Sequence, residues 1–249
     1  MNDLQGGIPF VFPICARISR NAKEGVYLYD GKQYPLKIHG FSWFEKWIVM
    51  DESKNSLTVV LTENENTLRC YPFRFEIRLT YQVTAGKLTC YQRYTNTDDK
   101  KSMPYYAGFH PYFLTPAAGS GKENVFIDFK STRRLQYNDT LTDIMGETSA
   151  LKTPISVGNP DMNEQLNWLN EDKTVTITFP NGECLQMNAY GIQDPNLFSY
   201  LQLYTIPEKP FVCAEPWMSF PNAMNTVSGV RWLKPLESEE GMFEIKLGT

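Results

Sequence analysis

The chain has 249 residues, of which 42% are hydrophobic and 21% charged, so it can bury a substantial core and shows no sign of disorder. Its 24 basic and 28 acidic residues give a formal net charge of −4, which argues against nucleic acid or an anionic membrane as the main partner. Five cysteines without a CxxC pair indicate neither a disulfide framework nor a zinc knuckle.

The first residues, MNDLQGGIPF, lack the basic and apolar regions of a signal peptide. No stretch of the sequence approaches the ~20 apolar residues that span a membrane. Together with the expectation of reduced thiols, these features predict a soluble, cytoplasmic protein.

The first half of the chain shows several strand signals. Residues 26–36 predict a hairpin that turns at Asp30-Gly31, and residues 56–64 predict a strand. Residues 74–83, RFEIRLTYQV, alternate apolar and polar side chains as a half-buried strand requires. The sequence TAGK then predicts a turn into a second strand, over 88–96.

The second half continues the pattern. Residues 117–125 have a loop composition, and residues 161–172 favour a short helix or a loop. Two strands over 174–190 are predicted to form a hairpin around Asn181-Gly182, with the positive φ angles of a type I′ turn. Residues 198–206 and 242–248 add strands. Many short strands and almost no helix predict an all-β fold, an antiparallel β-sandwich, with residues 1–249 as a single domain.

The chain has only two histidines, His39 and His110, and each is flanked by aromatic residues at a loop-like break. A histidine in such a setting is either a satisfied core residue or a functional acid or base, and the residues alone leave both readings open. Glu215 lies in the apolar segment FVCAEPW, where a carboxylate needs a cleft or a dedicated partner. Arg17, in the apolar segment FPICAR, is a candidate ligand-binding cation or the ion-pair partner of Glu215.

Other chemistries lack support in the sequence. There is no GxSxG elbow, no HExxH motif and no phosphate-binding glycine loop; the GSGK at 119–122 predicts a plain turn. Two histidines without clustered acids predict no metal site. The remaining candidates form a metal-free set of one Glu, two His and one Arg.

Four segments occur in an order that resembles the aldose 1-epimerase (mutarotase) family and its hexose-phosphate epimerase relatives. They are GGIPFVFPICAR from residue 6, HGF from 39, FHPYF from 109 and EPW from 215. The resemblance implies a twisted β-supersandwich, no cofactor, a small-molecule sugar substrate, and interconversion of the α and β anomers of an aldose.

The resemblance also implies roles for individual residues. Glu215 matches the general base that removes the proton from the C1 hydroxyl, and His110 matches the general acid that protonates the ring oxygen. His39 and Arg17 match residues that hold the sugar, and Trp217 of EPW is a further substrate-binding candidate. Gln165 stands where the family carries an acidic sugar-binding residue, with Asp161 considered as the nearest acid.

Two departures from the family pattern change the expectations. Family members usually carry several strands before the GGIP segment, which here begins at Gly6, so the chain resembles a version shortened at the N-terminus. A sheet edge left open in this way predicts a homodimer. Trp43 stands where the hexose-phosphate relatives tend to carry the arginine of HGFAR, which favours a neutral sugar.

Three alternatives stay open from the sequence. A hexose-6-phosphate 1-epimerase needs a basic rim, to which Arg20, Lys37 or Lys46 would contribute. A sugar-binding module without turnover has no need for a matched acid and base. A purely structural β-sandwich would keep both histidines as core residues.

Overall fold

The computed structural model of the chain describes residues 7–21 and 23–248. Gly6, with which the first family-like segment begins, lies outside these residues. The strands in chain order are β1 (Phe10–Val11), β2 (Ser19–Arg20), β3 (Lys23–Glu24), β4 (Val26–Tyr29), β5 (Lys32–Pro35), β6 (Ile48–Glu52), β7 (Ser56–Thr62), β8 (Phe75–Thr84), β9 (Lys87–Asn96), β10 (Met103–Tyr105), β11 (Gly108–Phe109), β12 (Tyr112–Leu114), β13 (Phe126–Phe129), β14 (Ser131–Tyr137), β15 (Ile144–Ser149), β16 (Ile155–Ser156), β17 (Gln165–Leu169), β18 (Val175–Thr178), β19 (Cys184–Gly191), β20 (Tyr200–Tyr204), β21 (Phe211–Trp217), β22 (Arg231–Leu233) and β23 (Ser238–Gly248).

Helix is scarce. The two α-helices are α1 (Glu65–Cys70) and α2 (Ala223–Thr226), and 3-10 turns cover Lys122–Asn124 and Pro160–Met162. Asn64 caps α1, because its side chain accepts hydrogen bonds from the first exposed backbone N–H groups. None of the helices in the described residues is long and apolar enough to cross a membrane.

Two large antiparallel sheets form the body of the fold. The eight-stranded sheet has the order β1-β11-β21-β20-β17-β14-β15, with β12 also paired to β21. The nine-stranded sheet has the order β16-β13-β18-β19-β23-β9-β8-β7-β6. Buried aliphatic and aromatic side chains from both sheets join in one hydrophobic cluster. The predicted antiparallel β-sandwich is confirmed.

Two predicted hairpins agree closely with the structure. β8 and β9 pair over their full length, and Phe75, Ile77 and Leu79 are buried while the residues between them are half-buried. Asp30 and Gly31 join β4 to β5 with φ angles of 49° and 72°. The hairpin predicted to turn at Asp30-Gly31 is therefore confirmed, and positive φ at both positions is the signature of a type I′ turn.

The predicted type I′ turn at Asn181-Gly182 is wrong. Only Gly182 has a positive φ, at 85°, and Asn181 does not. The Gly182 N–H donates to the carbonyl of Phe179, so the turn begins at Phe179, one residue before the predicted start at Pro180. Pro180 explains the difference, because it has no N–H to pair beside a two-residue turn and its φ suits the second position of a type I turn.

Residues 161–172 contain a strand rather than a helix. After the 3-10 turn, β17 inserts between β14 and β20 of the eight-stranded sheet. Its burial does not alternate, since Leu166 and Asn167 are both buried, and the period-2 signal of a strand is therefore missing.

The GSGK segment contributes more than the plain turn expected. Lys122 is buried, and its Nζ donates to the carbonyl oxygens of Ile206 at 2.6 Å and Lys209 at 2.7 Å. These carbonyls belong to the loop that joins β20 to β21. The lysine therefore fixes the hairpin on which the candidate base Glu215 lies.

Within the described residues, β6 is one of the two edge strands of the nine-stranded sheet, and all five of its residues are exposed. Ile48, Val49 and Met50 are each more than half exposed. A groove of about 480 Å³ lies beside it, lined by Pro9, Phe10, Ser42, Trp43, Glu45, Trp47, Val59, Leu79 and Tyr81. An apolar open edge is a template for another strand, so the predicted homodimer is expected to form through β6.

Self-association through β6 can be tested by sedimentation equilibrium. We expect the mass of two chains for the unchanged protein and the mass of one chain for Val49→Lys, because a charge on the edge opposes strand pairing. Val83→Lys is the matched control, since Val83 is equally exposed but lies on the interior strand β8. A single-chain mass for the unchanged protein would contradict the prediction.

Candidate active site

The register of β21 places His110 opposite Glu215. Gly108 pairs with Trp217, and Tyr112 pairs with Cys213. Both pairs belong to one continuous register, in which residue 110 falls opposite residue 215. On its other side, His110 is held by its backbone N–H, which donates to the carbonyl of Pro9 at 2.9 Å. The FHPYF and EPW segments are therefore neighbours in one sheet.

The two side chains make direct contact. His110 Nε2 lies 3.3 Å from Glu215 Oε1, and the residues are 6% and 1% exposed. In the described part of the chain, His110 Nδ1 and Glu215 Oε2 have no hydrogen-bond partner. Buried polar atoms are normally satisfied, so two unpartnered atoms beside one contact indicate a site kept for a ligand.

The HGF segment brings His39 to the same place. Gly40 has a φ of 72°, and a Cβ there would lie 2.1 Å from the carbonyl oxygen of Phe12. Only glycine permits this approach. The His39 ring stands edge-on to the His110 ring, with centroids 5.0 Å apart. The two histidines of the chain therefore belong to one site.

The tautomer of His39 follows from its hydrogen bond. Its Nδ1 lies 2.8 Å from the Cys15 carbonyl oxygen, which only accepts, so Nδ1 carries the proton. Nε2 of the neutral ring is then an acceptor for a ligand hydroxyl. Burial lowers the pKa of His39 to about 4 against the effect of this hydrogen bond, so the ring is neutral near pH 7.

Aromatic rings enclose the two histidines. Trp43 stacks on His39 with centroids 5.3 Å apart, and Tyr112 stacks on His110 at 4.8 Å. Trp217 contacts His39 edge-on at 6.1 Å. Such faces suit the C–H surfaces of a sugar ring and keep water from the polar atoms between them.

Burial shifts both members of the pair toward their neutral forms. It raises the pKa of Glu215 well above its usual range, and the nearby carboxyl of Glu164 adds to the rise. It lowers the pKa of His110 to about 3, helped by His39. The Trp217 indole N–H lies near Glu215 and partly offsets the rise in its pKa. Within the described residues, this N–H has no well-aligned hydrogen-bond acceptor. Near neutral pH both groups of the pair are therefore uncharged, and the proton they would share lies on the Glu215 carboxyl group.

Arg17 brings a positive charge to the site. It is half-buried, two residues beyond Cys15. Burial raises the pKa of Glu164, and the charge of Arg17 opposes that rise. The same charge further lowers the pKa of His39. Arg17 is thus close enough to act on both groups.

Three polar residues of the site escaped the sequence analysis. Gln202 pairs with Glu215 across β20 and β21. Its Nε2 donates to Glu164 Oε2 at 2.7 Å, and its Oε1 accepts from the Tyr137 hydroxyl at 2.7 Å. Because Gln202 lies within the apolar segment SYLQLY, the sequence indicates a buried polar side chain at this position. No feature of the sequence around Glu164 or Tyr137 indicates that these residues belong to the site.

The structure does not bring Gln165 to the pair. It lies in register with Leu203 and, one strand further, Ala214, so its side chain projects from the face opposite to that of Glu215. Its Oε1 accepts from Arg134 Nη1 at 2.8 Å. Asp161 is exposed in the 3-10 turn. The second carboxyl group close enough to act on Glu215 is that of Glu164, adjacent to Gln165 in the chain.

The family was established by comparison with known proteins. The model for aldose 1-epimerases matches residues 4–189 of the chain. The chain belongs to the aldose 1-epimerase family. The matched range ends before β21, so the placement of Glu215 in this family member rests on the geometry above.

Solved structures have folds similar to that of this aldose 1-epimerase family member, and a further relative matches it in sequence. The Slr1438 protein of Synechocystis sp. PCC 6803 is 26% identical, with a TM-score of 0.81 over 98% of this chain and 78% of that one. A galactose mutarotase-like protein of Lactobacillus casei is 23% identical, with a TM-score of 0.81 over 97% and 85%. The protein LacX of Lactococcus lactis subsp. lactis is 22% identical over 97% of this chain and 85% of its own.

The raised pKa of Glu215 predicts that its ionisable carboxyl group lowers the stability of the fold, and that a neutral amide in its place restores stability. Above pH 4.5 the unfolded chain releases this proton while the folded protein holds it, so stability falls as pH rises toward the folded pKa. Glu215→Gln, neutral throughout, should unfold at a higher temperature at pH 7.5, by at least about 1 kcal/mol of unfolding free energy. The gap should close near pH 4.5. Calorimetry at both pH values checks this, and a less stable variant at pH 7.5 would contradict it.

Proposed function

We propose that the protein is an aldose 1-epimerase that interconverts the α and β anomers of an unphosphorylated aldose. The observation that carries the proposal is the buried contact of 3.3 Å between Glu215 and His110, with one unpartnered polar atom on each side chain within the described residues. Family membership and the aromatic walls of the site support it.

The contact suits the geometry of an anomeric centre. The C1 hydroxyl and the ring oxygen of a pyranose are bonded to the same carbon. A proton acceptor and a proton donor that lie 3.3 Å apart are therefore able to reach both oxygens of one sugar. Glu215 would take the proton from the C1 hydroxyl while His110 gives one to the ring oxygen, and the ring opens to the aldehyde.

The total number of protons on the pair stays constant through the cycle. Ring opening converts ionised Glu215 and protonated His110 into the neutral acid and the neutral imidazole. After rotation about C1–C2, the same groups return the protons as the ring closes on the other face. Because burial favours the neutral form of both groups, the pair holds the number of protons that both halves of the reaction need.

The remaining polar groups are proposed to hold the sugar. His39 Nε2 accepts from one hydroxyl, and Arg17 donates toward an oxygen near the ring. Glu164, positioned by Gln202, accepts from further hydroxyls. Trp217 offers an apolar face. This set replaces the expected contact from Gln165.

A neutral sugar fits the site better than a sugar phosphate. At the position of the phosphate-contacting arginine of the hexose-phosphate relatives, Trp43 stacks on His39 with an interplanar angle of 20°. Lys37 is one of the residues that could replace this arginine as a phosphate contact, but its ammonium group lies over the Phe44 ring, 5.5 Å from the centroid. The five cysteines are free thiols, which supports the proposal of a cytoplasmic protein. Membership of the aldose 1-epimerase family supports the proposal of a role in carbohydrate metabolism.

Exchange of the catalytic groups should lower the rate of turnover and spare sugar binding. We expect Glu215→Gln and His110→Asn each to lower the rate by about 10²- to 10⁴-fold, because each removes one proton transfer. The measurement is polarimetry or NMR of fresh α-D-glucose, α-D-galactose and glucose 6-phosphate, with the spontaneous rate subtracted. Asp161→Asn, the same carboxyl-to-amide change outside the site, should leave the rate unchanged.

Either of two results would reject this assignment. Full activity of Glu215→Gln would remove Glu215 from the reaction. Absence of activity in the unchanged protein, with sugar binding retained, would identify a sugar-binding module. Fastest turnover of glucose 6-phosphate would favour the phosphate-specific alternative.

The pH dependence of kcat/KM should be flat across the range in which an ordinary histidine titrates. His110 takes up a proton only at low pH, since its pKa is about 3. The neighbouring His39, with a pKa of about 4, also stays neutral above that range. We therefore expect a plateau from about pH 5 to pH 7, with the acid limb below it. An inflection near pH 6.5, the usual histidine pKa, would show that His110 titrates independently.

A further inference from the structure

Cys213 lies beside the catalytic pair. It is buried two residues before Glu215 on β21, so both side chains project from the same face of the sheet. One ligand atom each from His110, Cys213 and Glu215 lies within 4.8 Å of the other two. Elsewhere in the described residues, no group of three His, Cys, Asp or Glu side chains has this geometry.

We propose that His110, Cys213 and Glu215 form an inhibitory binding site for a divalent transition-metal ion, Zn²⁺ foremost. Imidazole, thiolate and carboxylate are the donors that zinc takes in proteins. A thiolate in the set disfavours Mg²⁺ and Ca²⁺, which prefer oxygen ligands. Two histidines without clustered acids predict no metal site from the sequence, because only the register beside β21 brings these three residues together.

The distances fit a tetrahedral site with little movement. Zinc bonds of about 2.0–2.3 Å place neighbouring ligand atoms roughly 3.3–3.7 Å apart. His110 Nε2 and Glu215 Oε1 already lie 3.3 Å apart. The sulfur needs a shift of roughly 1 Å at most, within reach of side-chain adjustment. Three protein ligands leave a fourth position for water.

The bound ion and the sugar exclude one another chemically. Zinc coordination uses the lone pairs of His110 Nε2 and Glu215 that the proposed reaction needs for proton transfer. The ion therefore inhibits by competition with the substrate and leaves kcat unchanged at saturating sugar. The inhibition rests on the proposed function, whereas the binding of the metal does not.

Removal of the Cys213 thiol allows metal binding to be distinguished experimentally from the acid–base function of His110 and Glu215. Cys213→Ala should keep epimerase turnover, because Cys213 transfers no proton in the proposed reaction. Zn²⁺ should inhibit the unchanged protein competitively, with reversal by EDTA. The inhibition constant should rise on the order of 100-fold or more in the variant, at least as much as the loss of a supporting residue costs a metal site.

A matched control removes a thiol elsewhere. Cys184 is a half-buried free cysteine in the nine-stranded sheet, so Cys184→Ala should retain the full inhibition. If Cys213→Ala fails to fold, Cys213→Ser, of nearly the same size, repeats the comparison. Equal inhibition of the unchanged protein and the Cys213 variant, or no inhibition of either, would overturn the proposal.

Co²⁺ absorption gives a readout that is independent of activity. We expect an intense thiolate-to-cobalt charge-transfer band and tetrahedral d–d bands in the unchanged protein, and loss of the charge-transfer band in Cys213→Ala. These bands without epimerase activity would support the metal site and reject the proposed function. Absence of the charge-transfer band from the unchanged protein would overturn the metal site whatever the activity.

Discussion

The site depends on one constraint, the register in which residues 108–112 run beside β21. That register sets His110 opposite Glu215, at a place where both sheet pairing and aromatic packing exclude water. Burial then favours the neutral form of each group, so that one proton is held between them. Without burial the carboxyl would be ionised at neutral pH and fully hydrated, and the pair would lose its shared proton.

The surrounding fold supports a pair that is unfavourable by itself. An uncompensated carboxyl group in a core costs stability, and two unpartnered polar atoms add to the cost. The hydrophobic cluster between the sheets and the loop held by Lys122 offset it. His39 also has a positive φ, of 62°, which is unfavourable for a residue with a Cβ. The features that lower the stability of the folded protein therefore lie where the proposed chemistry takes place.

Local patterns predicted the fold where each strand has one buried face. The alternation in residues 74–83 and the Asp30-Gly31 turn are such cases. Prediction failed at β17, which is buried on both faces, and at Pro180, which moved a turn. The family-like segments indicated His39, His110 and Glu215, but the structure was needed to show their contact. Glu164 reaches the site through Gln202, 38 residues away in the chain, and such pairing across a sheet leaves no local signal.

The shared proton is tested most directly by an NMR titration of the imidazole groups in protein labelled with ¹⁵N-histidine. Two histidines make assignment simple, since His110→Asn removes one set of signals. The account predicts that both rings stay neutral from pH 7 down to about 5, with the proton of His39 on Nδ1. A His110 ring that becomes charged near pH 6.5 would contradict the account, because the pair would then titrate as two independent groups.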